Sequence, residues 1–332
     1  MENQLSRYGA IAQAMPFTPG KIFFVVESAD SWAADFINQY PVDKDGVVRV
    51  YTDIQSAYNA TVDGRNDVIV LDSNTSHTLT AMLTVSKNKV HFVSTEWLAG
   101  AHRVQDQRCR VVMNVSATVT NVAMIRVTGS GCSFRGIKFV NSSTLAQSIT
   151  TFQDESSNGL LVENCSIQAS GSAQLTATTG SSLRLAGDGS HYYRCQIGAD
   201  TIVNTVANQV VYVATINGAV ARRVLFEECE FYTYTSATTH VFVKVAADAD
   251  VDRYISFKNC DFHNFYTASN GALMAVAFQT PAGLISGLVH VSNPNVFGAT
   301  DFATAAVGNA GILINGTSPT AGTAGIAVQP TA

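Results

Sequence analysis

Charge is scarce in this sequence of 332 residues: 14% of side chains are charged, 20 Lys and Arg against 25 Asp and Glu, where soluble domains carry about 25%. With 46% hydrophobic residues, that scarcity excludes intrinsic disorder and coiled coil, both of which need dense charge. A net charge of −5 leaves no basic footprint, so neither nucleic acid nor an anionic membrane surface is expected as a partner. No apolar run reaches the roughly eighteen residues of a membrane span. Residues 1–20 lack the apolar core of a signal peptide, from which a soluble chain made in the cytosol is expected. There is no CxxC, so zinc is unsupported, and Cys109, Cys132, Cys165, Cys195, Cys229 and Cys260 read first as thiols. Histidines stand singly, without HxH or HExxH spacing. Asp248 to Asp252 has the opening rhythm of a calcium loop, but Arg253 and Asn259 stand where Gly and Glu are needed, and a turn is the plainer reading. GxSxG, P-loop and GxGxxG signatures do not follow a strand and open a helix. No cofactor is therefore expected.

What is present is a repeat. Phe134 to Phe139, Val162 to Ile167, Tyr192 to Ile197, Phe226 to Phe231 and Phe257 to Phe262 share one template: apolar, two mostly polar, Cys or Ile, polar, apolar. The fourth position falls at 137, 165, 195, 229 and 260, giving spacings of 28, 30, 34 and 31, with a weaker copy at Leu288 to Asn293. A looser strand precedes each copy, such as Val210 to Val213 or Val241 to Val245. Units of this size bury their apolar face only by stacking, about 4.8 Å apart. Strand formers punctuated by Ser, Gly and Asn favour strands over helical repeats. The fold expected is all-β: a parallel β-helix with short N-terminal capping helices and an extended N-terminal arm. Cys165, Cys195, Cys229 and Cys260 then form an interior ladder of free, unreactive thiols.

Four segments are expected. Residues 1–20 are an extended arm, and residues 21–66 a cap with short helices. In the cap, Asp30 or Ser31 starts one helix, and Thr52 with Gln55 has the capping-box spacing for another that buries Ile54, Ala57 and Tyr58. Residues 67–298 are the β-helix. Residues 299–332 are an Ala/Gly/Thr-rich end. From Asn264 to Ala332 only Asp301 is charged, which suits either small-residue coils packed about a three-fold axis or a polar solenoid end with a loose tail.

Sugar hydrolysis needs two carboxyl groups flanking the scissile bond. Glu230 and Asp261 fall side by side on the ladder, yet alternation puts them on the outer wall, where solvated acids are the plainer reading. No catalytic residue and no metal ligand is therefore assigned. Tyr232, Tyr234, Phe265 and Tyr266 follow equivalent ladder positions and form a candidate aromatic contact patch, with cover for the helix flank as the alternative.

The repeat resembles the right-handed parallel β-helix, or pectin-lyase-like, superfamily over residues 50–298. Enzymes of that superfamily bring Asp clusters with His, Arg and Lys, or a calcium-binding acidic cluster. Asn-Thr-Asp, Gly-His-Gly and Arg-Ile-Lys motifs are missing here, so that active site is not carried over. Thr18 to Val25 and Asp45 to Gln55 resemble β-helix proteins encoded near the capsid genes of tailed bacteriophages. This resemblance implies a virion structural protein rather than an enzyme: a capsid decoration or head-fibre protein, homotrimeric, assembled in the host cytoplasm and placed on the head surface. Its partners would be the major capsid protein or other virion proteins, met through an arm carrying Tyr8, Met15 and Phe17. Two alternatives stand beside it, a trimeric tailspike that binds and cleaves bacterial surface polysaccharide, and a non-catalytic adhesin for a host-surface glycan.

Overall fold

The computed structural model describes residues 20–27, 33–39, 42, 46–100, 108–114, 123–146, 149–247, 250–266, 273–281, 285–303 and 311–315. The arm residues Tyr8, Met15 and Phe17, the helix start at Asp30 or Ser31, and the tail from 316 lie outside them.

Eight successive coils, from Asp67–Leu71 to Ala299–Ala303, each contribute one strand to each of three sheets. The first sheet has eleven strands, running from Val50–Tyr51 and Ile22–Val25 through Asp67–Leu71 to Leu288–Ser292 and Ile312–Asn315. The second and third have eight each, ending at Asn295–Phe297 and Ala299–Ala303. Neighbouring strands pair in parallel, as a solenoid requires. The ladder therefore extends past both limits of the 67–298 span read from the sequence. Ile22–Val25 pairs with Asp67–Leu71 at one end, and Ile312–Asn315 with Leu288–Ser292 at the other.

The repeating template is a corner, not a strand. In the second copy Leu161–Glu163 belongs to the first sheet and Ser166–Ala169 to the second, with Asn164 between them at φ 49°. Gly136, Arg194, Glu228, Asn259 and Asn293 hold the same left-handed conformation on successive coils. A single residue there redirects the chain, which is why Gly and Asn recur at the position. The weak sixth copy turns at Asn293 as well, with Pro294 in the thiol position, three residues later than its apolar pattern suggested.

Inside, alternate side chains form columns along the axis. Phe92 stacks on Phe134 (4.8 Å, 7°), and Tyr192 on Phe226 on Phe257 (4.7 Å at each step). In the second sheet Phe231 lies on Phe262 (4.7 Å, 9°). Ring spacing equals strand spacing, so identical residues at equivalent places stack without any change of rotamer. Each fully buried Phe contributes about 1.5–3 kcal/mol.

The N-terminal end is closed by the helix Ile54–Ala60, which buries Ile54, Ala57 and Tyr58. Its cap is Asp53, whose carboxylate accepts from Ser56 N (2.7 Å), rather than Thr52. A carboxylate offers charge as well as a lone pair to the helix start, so the neighbouring acid displaces the hydroxyl. At the far end of the helix Lys87 Nζ donates to the carbonyls of Tyr58, Asn59 and Thr61 (2.9, 3.0 and 2.7 Å).

Candidate functional site

Chemistry on a β-helix has three places to sit: the interior, the corners with their loops, and the outer faces of the sheets. In the interior all six cysteines are free and buried. The strand register places Cys109 on the same column as Ile137, Cys165, Cys195, Cys229 and Cys260. Cys195, Cys229 and Cys260 each donate S–H to a carbonyl of the preceding coil, at Val162, Tyr192 and Phe226 (3.2, 3.3 and 3.6 Å). Burial pushes the Cys165 thiol up to about 12. A thiol held protonated in an apolar column is neither nucleophile nor ligand. Cys109 could have been placed from its spacing of 28 before Ile137, but no apolar template residue precedes it by three.

The interior also holds a carboxylate that the repeat pattern did not reveal. Asp154 is fully buried, with Oδ1 accepting from Ser156 N (2.9 Å) and Ser156 Oγ (2.6 Å). Its Oδ2 accepts from Ser190 Oγ (2.6 Å) and Tyr192 OH (2.9 Å). Burial lifts the Asp154 pKa, and these four donors work against that lift. A Cβ on Gly187 would lie 2.4 Å from the carboxylate oxygens, so glycine there makes the room. Ser156, Ser190 and Tyr192 are buried with it.

At the junction of the second and third sheets, a cavity of about 30 Å³ is lined by Gln209, Asn204, Asn208, His240 and Tyr232, among others. His240 Nδ1 lies 2.7 Å from Asn208 Oδ1, which assigns the proton to Nδ1 and leaves Nε2 as an acceptor. His240 Nε2 and Gln209 Oε1 are buried without partners among the described residues. Burial lowers the His240 pKa to about 3, so the ring is neutral. The space suits one water donating to such acceptors and is too small for a sugar ring.

On the outer faces, carboxylates are clamped by cations. Glu155 receives Arg126 through two bonds (2.7 and 2.9 Å) and Asn217 Nδ2 (2.8 Å). Burial works against ionisation, yet those donors hold Glu155 below the usual carboxylate range. Glu163 meets Arg135, Glu227 meets Lys258, Glu228 meets Arg194 and Asp188 meets Arg223. Lys258 holds Glu227 below the usual carboxylate range as well, so Glu155 and Glu227 are poor proton donors. Glu230 and Asp261 do pair in register on the outer wall. Each is engaged laterally, Glu230 accepting from Tyr232 OH and Asp261 from Asn295 Nδ2 (2.6 Å each). In the turn before Val251–Lys258, Asp250 accepts from Thr215 N, Thr215 Oγ1 and Ala247 N (2.6, 2.7 and 2.6 Å). Among the described residues no group of His, Cys, Asp and Glu could hold a metal; Asp248 is outside them.

The four aromatic candidates come together as two edge-on pairs. Tyr232 meets Phe265 (5.0 Å, 78°) and Tyr234 meets Tyr266 (5.1 Å, 75°), with His263 stacked on Phe265 (5.7 Å, 13°). All four are half-buried. Burial, then Glu230, raises the Tyr232 phenol, which keeps it a hydrogen-bond donor. A second outer row escaped the sequence reading. Arg126, Gln153, Arg184, Tyr212, Lys244 and Gln279 align across six coils of the third sheet. Arg184 lies over the Tyr212 ring (5.8 Å). Their separations in sequence are too irregular for the row to be read before the register is known.

No family model and no curated protein matches the chain. Among solved structures, a pectin methylesterase from Aspergillus niger is similar over 96% of this chain and 91% of its own, at 15% identity and a TM-score of 0.54. An alginate lyase from Paenibacillus covers 79% of this chain and 93% of its own, at 16% identity and a TM-score of 0.48. The Dettilon tailspike protein covers 87% and 68%, at 14% and 0.30. At this identity the likeness shows the fold alone. The chain has the pectin-lyase-like, right-handed parallel β-helix fold.

Proposed function

We propose that this protein is a non-catalytic structural component of a tailed-phage particle, a capsid decoration or head-fibre protein that attaches to the head shell through residues 1–20. The observation that carries the reading is how the chain enters the column. Ile22–Val25 is next to last at one end of the first sheet, and Gly20 lies at that end. Its position is tightly fixed: a Cβ on Gly20 would lie 2.2 Å from Asn66 O, and Lys21 N donates to Asp67 Oδ1 (2.8 Å). Asp67 also receives Arg65 and Val62 N, a buried anchor at the start of the arm. Clamped outer acids and shielded thiols support a role without turnover. Several arms on one assembly reach useful avidity with weak individual contacts.

The test is co-sedimentation of the full chain with capsid shells made from the major capsid protein. Deleting residues 1–20 is expected to abolish binding while leaving the circular dichroism spectrum and melting temperature unchanged. Undiminished binding by the truncated chain would overturn the attachment reading.

A second reading, glycan binding at a bacterial surface, draws on the two aromatic pairs and on Arg184, Tyr212 and Lys244 in register on the third sheet. Rings and flat cations suit sugar faces and acidic sugars. Retention on immobilised capsule or O-antigen, lost when Tyr232, Tyr234 and Tyr266 are replaced by Ala, would favour it. New reducing ends or unsaturated sugars would mark a tailspike enzyme instead.

A further inference from the structure

The outer face of the second sheet carries one row whose charge changes sign along the axis. In register order it reads Ser76, Arg110, Lys138, Ser166, Gln196, Glu230, Asp261, Asn295. The inward neighbours Val111, Phe139, Ile167, Ile197, Phe231, Phe262 and Val296 are buried, so these eight side chains are directed outward. Arg110 is exposed, whereas Lys138, Gln196, Glu230 and Asp261 are half-buried and Ser166 is shielded among them.

Arg110 and Lys138 are adjacent rungs, about 4.8 Å apart at the backbone, as are Glu230 and Asp261. Like charges placed directly opposite on neighbouring strands repel. None of the four forms an ion pair among the described residues, although other outer acids of this chain mostly have a cation beside them. Asp200 is near enough to Lys138 to be felt, but burial and Arg110 outweigh it and depress the ammonium.

Turned end for end, the row superimposes on its own complement. Ser76 falls on Asn295, Arg110 on Asp261, Lys138 on Glu230 and Ser166 on Gln196. We propose that this face is a two-fold interface between antiparallel copies of this chain, in which Arg110 and Lys138 of each copy meet Asp261 and Glu230 of the other. A two-fold contact needs a surface that complements itself, and this charge row does so fully in one register: a shift of one rung keeps half of the opposite-charge pairs, and a shift of two keeps none. In the adjacent column Val112, Tyr232 and Phe297 supply apolar area beside the polar Thr78, Gln168 and His263.

The interface rests on the face alone and is independent of what the arms bind.

Sedimentation equilibrium of the full chain tests it. A dimer is expected whose dissociation constant rises with salt. Lys138→Glu and Glu230→Lys, each verified as folded by circular dichroism, are expected to weaken the dimer by at least about tenfold. The combined variant K138E/E230K exchanges the signs, keeps the row antisymmetric and is expected to restore the dimer. A monomer at all concentrations, a trimer indifferent to both reversals, or a double variant no tighter than the singles would overturn the proposal.

Discussion

At the residue scale, the most demanding arrangement is the buried carboxylate of Asp154. Four donors hold it, and the atom that permits it is one that Gly187 does not have. Tyr192→Phe removes one donor from a buried anion and is expected to cost about 1–3 kcal/mol, read as a lower urea midpoint. Gly187→Ala drives a methyl into oxygens that cannot swing aside, with an expected cost of about 1–3 kcal/mol or more. A loss below that range in both variants would show that the cluster relaxes freely. Glu228 is the converse case, a side chain with a Cβ kept at φ 53°. Its bond to Arg194 is exposed and contributes little, whereas left-handed backbone is unfavourable for most residues. Glu228→Asn, which places there the residue that Asn164 and Asn259 use, is expected to raise the melting temperature.

At the element scale, the cap helix shows what a sequence pattern shows and what it omits. The apolar face of Ile54, Ala57 and Tyr58 is plain from helical spacing. The identity of the cap is not, because Thr52 and Asp53 are both good caps and the backbone path decides between them. Asp53→Ala is expected to cost about 0.5–2 kcal/mol, and Thr52→Ala far less, when the two are compared by denaturant unfolding. The thiol column is likewise an element. Its five cysteines, and the equally buried Cys132, are expected to resist a thiol reagent in the native protein and to react fully after unfolding. Rapid labelling of Cys195 or Cys229 without denaturant would contradict the packing.

At the scale of the whole molecule, two histidines couple stability to pH. Burial lowers His91 to about 4, with Arg135 adding to the effect, and His240 to about 3. Both folded values lie below the unfolded one of about 6.5, so the unfolded chain binds the extra protons. Their contribution is complete above pH 6.5 and is lost as pH falls toward 4 and 3. The slope approaches about 2.7 kcal/mol per pH unit for two protons. Asp154 acts in the opposite sense, because a raised carboxylate favours the protonated fold as pH falls. Asp67 and Glu155, lowered despite burial, add to the loss only at more acidic pH. Unfolding free energies between pH 7 and pH 5 are expected to fall, and His91→Gln to flatten the decline by about half. A pH-independent stability over that range would refute neutral burial of the two rings.

The β-helix itself was legible because its inner columns repeat in kind: an aromatic, a thiol and an apolar residue return on coil after coil, and burial tolerates little else there. The outer rows were legible only in part: template spacing set Glu230 beside Asp261 and gave the four aromatic candidates equivalent positions. Arg110 and Lys138 belong to coils whose lengths vary with their loops, and only hydrogen-bonded register brings them into line with that pair. The same holds for Arg126 with Glu155. Sequence alone thus determined that this chain stacks as parallel coils around a dry interior, since hydrophobic periodicity is a local property. The tertiary structure decided which charges, rings and carboxylates face one another, because a loop can gain or lose residues without disturbing the core while shifting every partner in the sequence.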